Sequence, residues 1–142
     1  MKDLHNNSHY VPVILPVAAA IEDNTAQVGA IVDHRGYQGA EYVIVTGTLA
    51  DAAATFTALL EESDASDMTG ATAVADADLL GTEALASFTQ ASDGKAFKLG
   101  YRGGKDYTRL TVTPAGNGAA APIVAICHLG FPLRAPTANP PA

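Results

Sequence analysis

Short apolar or alternating runs recur about every 10 to 14 residues along the chain, and Gly, Asn, Asp and Pro separate them. This spacing predicts an all-β fold, either an antiparallel β-sandwich or a small barrel. The best-defined strand runs, which are rich in β-branched and aromatic residues, are 41–49, 96–102, 107–113 and 122–129. Weaker strand candidates are 13–21, 26–33, 55–62, 73–79 and 84–89.

Residues 102–106 separate two of the strong runs and contain Gly103 and Gly104. Paired glycines supply the positive φ of a tight turn, so we predict a hairpin between the flanking strands. Alternation within each strand predicts one core face and one polar face. The predicted core side chains are Phe97, Leu99, Tyr101, Leu110 and Val112, and the opposite side chains are Lys98, Arg102, Arg109, Thr111 and Thr113.

The last strong run, 122–129, is apolar on both of its faces. One face carries residues such as Ala125 and Cys127, and the other carries Val124, Ile126 and His128. Strands buried on both sides read as continuous apolar runs. We therefore predict that this strand is covered on both faces.

Two segments also fit a helix. Asp51 could cap a helix over 52–62, and Thr82 could cap one over 83–88. The threonines around Phe56 favour a strand instead, whereas the Ala-rich residues before it favour a helix. Both readings remain open from the sequence.

The predicted organisation is an N-terminal arm over 1–12, a single β domain over 13–134 and a Pro-rich tail over 135–142. Prolines in the tail cannot join a sheet interior. The longest apolar run, 11–21, is about half of what a membrane-spanning helix needs, so no such span is predicted. The residues before this run include one Lys and also Asp3, which is not typical of a signal peptide.

Composition narrows the classes of function. The chain has 142 residues, with 15 acidic and 8 basic side chains and a net charge of -7. Such an acidic balance argues against a protein that coats nucleic acid, which uses clustered Lys and Arg. Cys127 is the single cysteine, so the chain forms no internal disulfide and suits a reducing cytosol.

Candidate chemistry is sparse. His5 and His9 have a zinc-like spacing, but the residues between them disfavour a helix. Cys127 and His128 are adjacent on a strand and so point to opposite faces. Acidic loops could bind calcium, yet no EF-hand pattern appears. We therefore predict no catalytic residue, no metal and no cofactor.

Charge is unevenly distributed along the chain. Residues 36–94 contain no Lys or Arg but ten Asp or Glu, and five cations follow within the next fifteen residues. Such a pattern suits docking between copies or against another protein, or compensation within one fold. The candidate assembly interface comprises the cations Lys98, Arg102, Lys105 and Arg109 with the acidic complement Glu61, Glu62, Asp64 and Asp67.

Several motifs in order carry a resemblance. They are GYQGAEYVIVTGTLAD at 36–51, LLEESDASD at 59–67, VADADLLGTEA at 74–84, KLGYRGGKDYTRLTVTPAGNG at 98–118 and LGFPLR at 129–134. This order resembles small structural proteins encoded near the head genes of tailed bacteriophages and related prophages. They are similar to head decoration, or cement, proteins.

The resemblance implies a non-enzymatic β-sandwich that binds the outside of an assembled phage head in many copies and stabilises it. Its implied partners are the major capsid protein and neighbouring copies of itself, without nucleic acid or membrane. Its implied location is the virion head surface after synthesis in the host bacterial cytoplasm. Alternatives are a neck or tail component of the phage and, in another class, a carbohydrate-binding β-sandwich module.

Overall fold

The computed structural model describes residues 3–16 and 21–139. Within these residues ten strands alternate with short turns, two 3-10 turns (His5–Asn7 and Asp76–Asp78) and one α-helical turn, α1 (Glu83–Ala86). The strands are β1 (Ser8–Ile14), β2 (Gln27–Asp33), β3 (Tyr37–Thr46), β4 (Thr55–Ser63), β5 (Thr72–Ala73), β6 (Leu79–Leu80), β7 (Phe88–Thr89), β8 (Ala96–Tyr101), β9 (Tyr107–Ala115) and β10 (Ile123–Pro132).

The strands form two antiparallel sheets that pack face to face. Sheet I has the order β1-β10-β3-β8-β6, and sheet II has the order β2-β9-β4-β5 with β7 also paired to β4. Side chains from the inner faces of both sheets form a single apolar cluster. The prediction of an all-β antiparallel sandwich is confirmed.

The core contains an aromatic stack that connects the two sheets. Phe56 of β4 stacks on Phe88 with ring centroids 4.9 Å apart, and Phe88 stacks on Phe97 of β8 at 5.1 Å. Phe56 and Phe88 are buried. Aromatic pairs of this kind add about 0.5–1.5 kcal/mol beyond their area burial, so the stack holds the sheets together at this end.

The helix considered for residues 52–62 is wrong, because this segment forms β4. Its side chains alternate, with Phe56, Ala58 and Leu60 buried and Thr55 and Thr57 exposed. A strand presents such a period-2 pattern to one sheet face, whereas a helix would not. The β-branched threonines add to that preference.

The cap predicted at Thr82 is confirmed, but the helix ends after one turn. The amide of Leu85 donates to Thr82 Oγ1 at 3.1 Å. Glu83 Oε1 accepts from the amide of Leu60 on β4 at 2.7 Å, and Ser87 Oγ accepts from the amide of Ala58 at 3.0 Å. The turn therefore satisfies part of the β4 edge where β7 and β5 do not pair with it. Of the strand considered for 84–89, only Phe88–Thr89 is a strand.

The hairpin predicted around Gly103 and Gly104 is wrong. β8 pairs with β3 and β6 in sheet I, whereas β9 pairs with β2 and β4 in sheet II. Residues 102–106 therefore cross between sheets, and neither glycine lies in the left-handed region. A Cβ on Gly103 would lie 2.5 Å from the Tyr101 hydroxyl, so close approach to this ring requires glycine there.

The expectation that β10 is covered on both faces is also wrong. Its inward side chains, Ala125 and Cys127 among them, are buried. Its outward side chains lie at the surface, and Ile126 is 37% exposed. β10 lies between β1 and β3, so neighbouring strands cover its edges and leave its outer face open.

The first and last segments of the described residues lie against each other. β1 begins at Ser8 and so includes part of the segment expected to be an arm. In the tail, the amide of Thr137 donates to the carbonyl of Asn6 at 3.0 Å, and Thr137 Oγ1 donates to the carbonyl of Ser8 at 2.5 Å. The predicted strand over 13–21 overlaps β1 at Val13 and Ile14, and residues 17–20 lie outside the described residues.

The crossing at residues 102–106 gives a testable pair of variants. Gly103→Ala should destabilise the fold by about 1–3 kcal/mol, because its Cβ meets the Tyr101 ring. That ring cannot move easily, since it is buried and its hydroxyl is bonded to Glu62 and to the amide of Lys105. Gly104→Ala is the control, because no atom lies within 4 Å of its added Cβ. Urea unfolding measures both, and equal stabilities would contradict the described crossing.

Candidate functional site

Charges from the two predicted sets meet at one end of the sandwich. Lys105 Nζ lies 2.6 Å from Asp64 Oδ2, and Arg109 Nη2 lies 2.9 Å from Glu61 Oε2. Glu61 and Arg109 are direct partners in the β4–β9 register, so the sheet itself holds them together. Asp64 follows β4, and Lys105 lies in the crossing. We call Glu61, Glu62, Asp64, Lys105 and Arg109 the charged cluster.

Tyr101 connects the charged cluster to sheet I. Its hydroxyl donates to Glu62 Oε2 at 2.7 Å and accepts from the amide of Lys105 at 2.9 Å. Burial, together with the Glu62 carboxylate, holds the pKa of Tyr101 above its usual value. The Asp64 carboxylate raises the pKa of Lys105. Both groups therefore keep their protons at neutral pH, and the cluster keeps its hydrogen bonds.

The other three predicted interface residues lie apart from the charged cluster. Lys98 faces outward from sheet I, on the opposite side of the sandwich, 3.6 Å from Glu41. Arg102 begins the crossing, and its Nε donates to the carbonyl of Ala77 at 2.9 Å. Asp67 lies in the loop after β4 and accepts from the amide of Thr69. The eight residues therefore do not form one continuous surface.

The outer face of sheet I carries a row of apolar side chains. In the register, Pro12 of β1 lies opposite Ile126, Ile126 lies opposite Val43, and Val124 lies opposite Val45. Val45 is 41% exposed and Ile126 is 37% exposed. Antiparallel sheets at a surface commonly place polar residues outward. We call these five residues the outer apolar face.

Phe131 projects beside the outer apolar face. Its side chain is 74% exposed, and its backbone has a φ of 52°, a conformation that residues other than glycine rarely adopt. Gly39 lies under the ring, and a Cβ there would be 3.1 Å from it. Next to Phe131 is a hollow of about 330 Å³ with a floor that includes Gly39, Gly100 and Gly130 and a wall at Leu80. The three glycines create the hollow because they carry no side chains.

The outer face of sheet II has different chemistry. Its central rows pair Thr57 with Thr113 and Glu61 with Arg109. Thr57 and Thr113 are exposed, and the ion pair is about a quarter exposed, with side-chain exposures of 28% for Arg109 and 23% for Glu61. The outer face of sheet II also exposes Val28 and Ile31 of β2, at 60% and 38%. It therefore combines apolar side chains with hydroxyls and a charge pair, whereas the outer apolar face contains no charged side chain.

A buried polar chain connects the two sheets near the crossing. Thr108 Oγ1 of β9 lies 2.5 Å from the Tyr42 hydroxyl of β3 and 2.5 Å from His34 Nε2. Thr108 Oγ1 has one proton and two lone pairs, so it donates to at most one of these groups and accepts from at least one. Burial lowers the pKa of His34 to about 4 and outweighs the Asp33 and Asp106 carboxylates, which raise it. His34 is therefore neutral at pH 7.

Cys127 and His128 point to opposite faces, as predicted. Cys127 is fully buried, and burial raises the pKa of its thiol to about 12. The imidazole of His128 faces outward, where Nε2 lies 2.8 Å from Ser8 Oγ and the ring stacks on Tyr10. The thiol is protonated and out of reach of the imidazole, so the pair does not form a nucleophile with its base.

The described part of the chain contains neither a cluster of metal-binding side chains nor a membrane-spanning helix. Residues 3–16 and 21–139 contain no group of three or more His, Cys, Asp or Glu side chains placed to hold a metal ion. In the same part of the chain, no helix has the length and apolar character to cross a bilayer. His5 lies in the 3-10 turn before β1, whereas His9 lies within β1 and stacks on Tyr37.

The sequence analysis did not predict the outer apolar face or the exposed side chain of Phe131. β3 carries Val43 and Val45 on the face opposite Tyr42 and Ile44, and β10 carries Val124 and Ile126 in the same way. Two strands apolar on both faces were the available signal. In β10 this pattern predicts burial on both faces, because the sequence does not show which strands lack a covering layer.

No protein-family model matches the chain, and no curated protein sequence matches it.

The buried histidine makes stability depend on pH. Because His34 has a pKa of about 4 when folded and about 6.5 when unfolded, only the unfolded chain takes up the proton between these values. Stability should therefore be full above pH 6.5 and fall by roughly 2–3 kcal/mol as the pH drops to 4. Denaturant unfolding across this range measures the loss. His34→Gln should flatten this part of the curve.

His5→Gln is the control for this measurement, since His5 is exposed. If both variants retain the slope of the wild-type curve between pH 6.5 and 4, the assignment of a neutral, half-buried His34 imidazole is wrong.

Proposed function

We propose that this chain is a non-enzymatic structural protein of a tailed phage, a decoration or cement protein that binds the outside of the assembled head. The observation that carries the proposal is the difference between the two outer faces of the sandwich. A thin two-layer module with an apolar face on one side and paired charges on the other can make two different protein contacts at once. The resemblance of its sequence motifs to head decoration proteins supports the same assignment.

The charged cluster is the proposed contact with the capsid shell. Its ion pairs lie in a rigid setting, because the β4–β9 register and the Tyr101 hydroxyl hold Glu61, Arg109, Glu62 and Lys105 in place. Exposed pairs contribute only about 0–1 kcal/mol each, but a fixed pattern of alternating charge selects the partner and its orientation. The partner surface is then the major capsid protein, with complementary charges.

Binding to the closed shell stabilises it by mass action. A protein that binds the assembled form and not its free subunits shifts the equilibrium away from dissociation. Contacts among many copies raise the effective concentration of each one, so a weak contact per copy is sufficient. Such a role requires a stable scaffold with adhesive surfaces, which is what the sandwich provides.

Charge reversal and charge swapping test the shell contact. Lys105→Glu should weaken binding to heads that lack the protein by roughly tenfold, and more salt should reduce the difference between variants. The double variant D64K/K105E restores the ion pair within the chain but reverses the pattern that the shell meets. We expect it to bind as weakly as K105E. Co-sedimentation with purified heads at two salt concentrations measures the binding.

Lys95→Glu is the matched control, because it makes the same change in net charge at the other end of β8. Full recovery of binding by D64K/K105E would assign the cluster to stability of the chain alone. Failure of the wild-type protein to bind heads would contradict the proposed function.

A further inference from the structure

We infer that the outer apolar face and Phe131 form an isologous interface with a second copy of this chain. The pairing deepens the proposed function, on which its place over the head rests. Three features of sheet I support the inference. They are the exposed Phe131 ring beside a hollow, the Glu41–Lys98 charge pair and the area of the exposed face.

The Phe131 ring and the hollow lie side by side on the outer surface of sheet I. Phe131 is held in an unusual backbone conformation, and its ring stays exposed in the single chain. The glycine-floored hollow beside it has a volume of about 330 Å³. An enclosed cavity of about 150 Å³ already holds benzene, so the hollow has room for a phenyl ring.

A two-fold axis beside Phe131 would place each ring in the hollow of the other copy. In such an interface the same patch occurs on both partners, and residue i contacts j while j contacts i. The aromatic ring then fills an apolar site at the centre of the contact, where hot-spot residues are found. The hollow supplies Leu80 as the apolar wall.

Charge on this face fits a second copy. The described strands of sheet I contain two charged side chains, Glu41 and Lys98, and both face outward. Although the chain has a net charge of -7, the strands of this face carry one anion and one cation, and Arg102 at the edge of the hollow adds a second cation. The acidic excess of the chain therefore lies elsewhere, and two copies meet here without repulsion between carboxylate clusters. Glu41 lines the hollow, and Lys98 Nζ lies 3.6 Å from Glu41 Oε1. A two-fold axis near them sets Glu41 of each copy against Lys98 of the other.

The area of the face is sufficient for a modest dimer. The five strands contain 7, 10, 10, 6 and 2 residues. With about 3.3 Å per residue and about 4.8 Å between strands, they cover roughly 550 Å² in projection. Standard interfaces bury about 800 Å² per partner. The pairing should therefore be reversible in dilute solution and strengthened where copies are concentrated on a shell.

Complementation between charge variants is the decisive experiment. Glu41→Lys makes the face doubly positive, and Lys98→Glu makes it doubly negative. Sedimentation velocity over about 1 to 500 µM should show each variant dimerising at least tenfold more weakly than wild type. An equimolar mixture of the two should form heterodimers with near wild-type affinity, because each doubly charged face then meets its opposite.

Two further variants separate contact from folding. Phe131→Gly removes the ring and suits the positive φ, so the fold should be at least as stable while dimerisation is lost. Val45→Lys should also abolish dimerisation, whereas Thr57→Lys on the outer face of sheet II should not. Val45 and Thr57 are both exposed positions within a strand, which makes the pair a matched comparison.

A wild-type protein that stays monomeric at the highest concentration, or a mixture of E41K and K98E that does not associate, would overturn the pairing. Head binding is measured separately on the same samples. A monomer that still binds heads would contradict the pairing and leave the proposed function standing. A dimer that does not bind heads would do the reverse.

Discussion

The packing of the two inner sheet faces is the interaction on which the rest of the structure depends. Each strand gives one side to the shared core, where the Phe56–Phe88–Phe97 stack connects the sheets. At the other end of β8 and β9, the Tyr42–Thr108–His34 chain makes a polar connection through the core. Because the inner side chains are buried in the core, the outward side chains are the ones that can contact other molecules. The two outer faces differ in these side chains.

The crossing at residues 102–106 shows how core packing positions a surface. Tyr101 lies against Gly103 and carries hydrogen bonds to Glu62 and to the amide of Lys105. One buried ring thus fixes the loop that presents Lys105 to Asp64. The exposed charges contribute little stability themselves, but their geometry is inherited from the core.

The extent of prediction from sequence follows from which features are local. Alternation in residues 55–62, 96–102 and 107–113 correctly predicts strands and core residues such as Leu99, Leu110 and Val112, and the Thr82 cap is likewise local. Pairing is not local: Gly103 and Gly104 suit a hairpin as well as a crossing, and the choice depends on which strands lie beside β8 and β9. For the same reason Val124 and Ile126 read as buried, although sheet I has no layer over them. Of the candidate site, the Lys105–Asp64 and Arg109–Glu61 partners come from the two predicted charge sets, whereas Lys98 lies on the other side.

We propose a rigid adhesive module whose charged side meets a shell and whose apolar side meets a second copy. A cryo-electron microscopy map of heads assembled with and without the purified protein tests this most directly. The account predicts added density over the outer surface of the head at many equivalent positions, as two-layer modules paired through sheet I. Heads without added density, or density confined to a single ring at the neck, would contradict it.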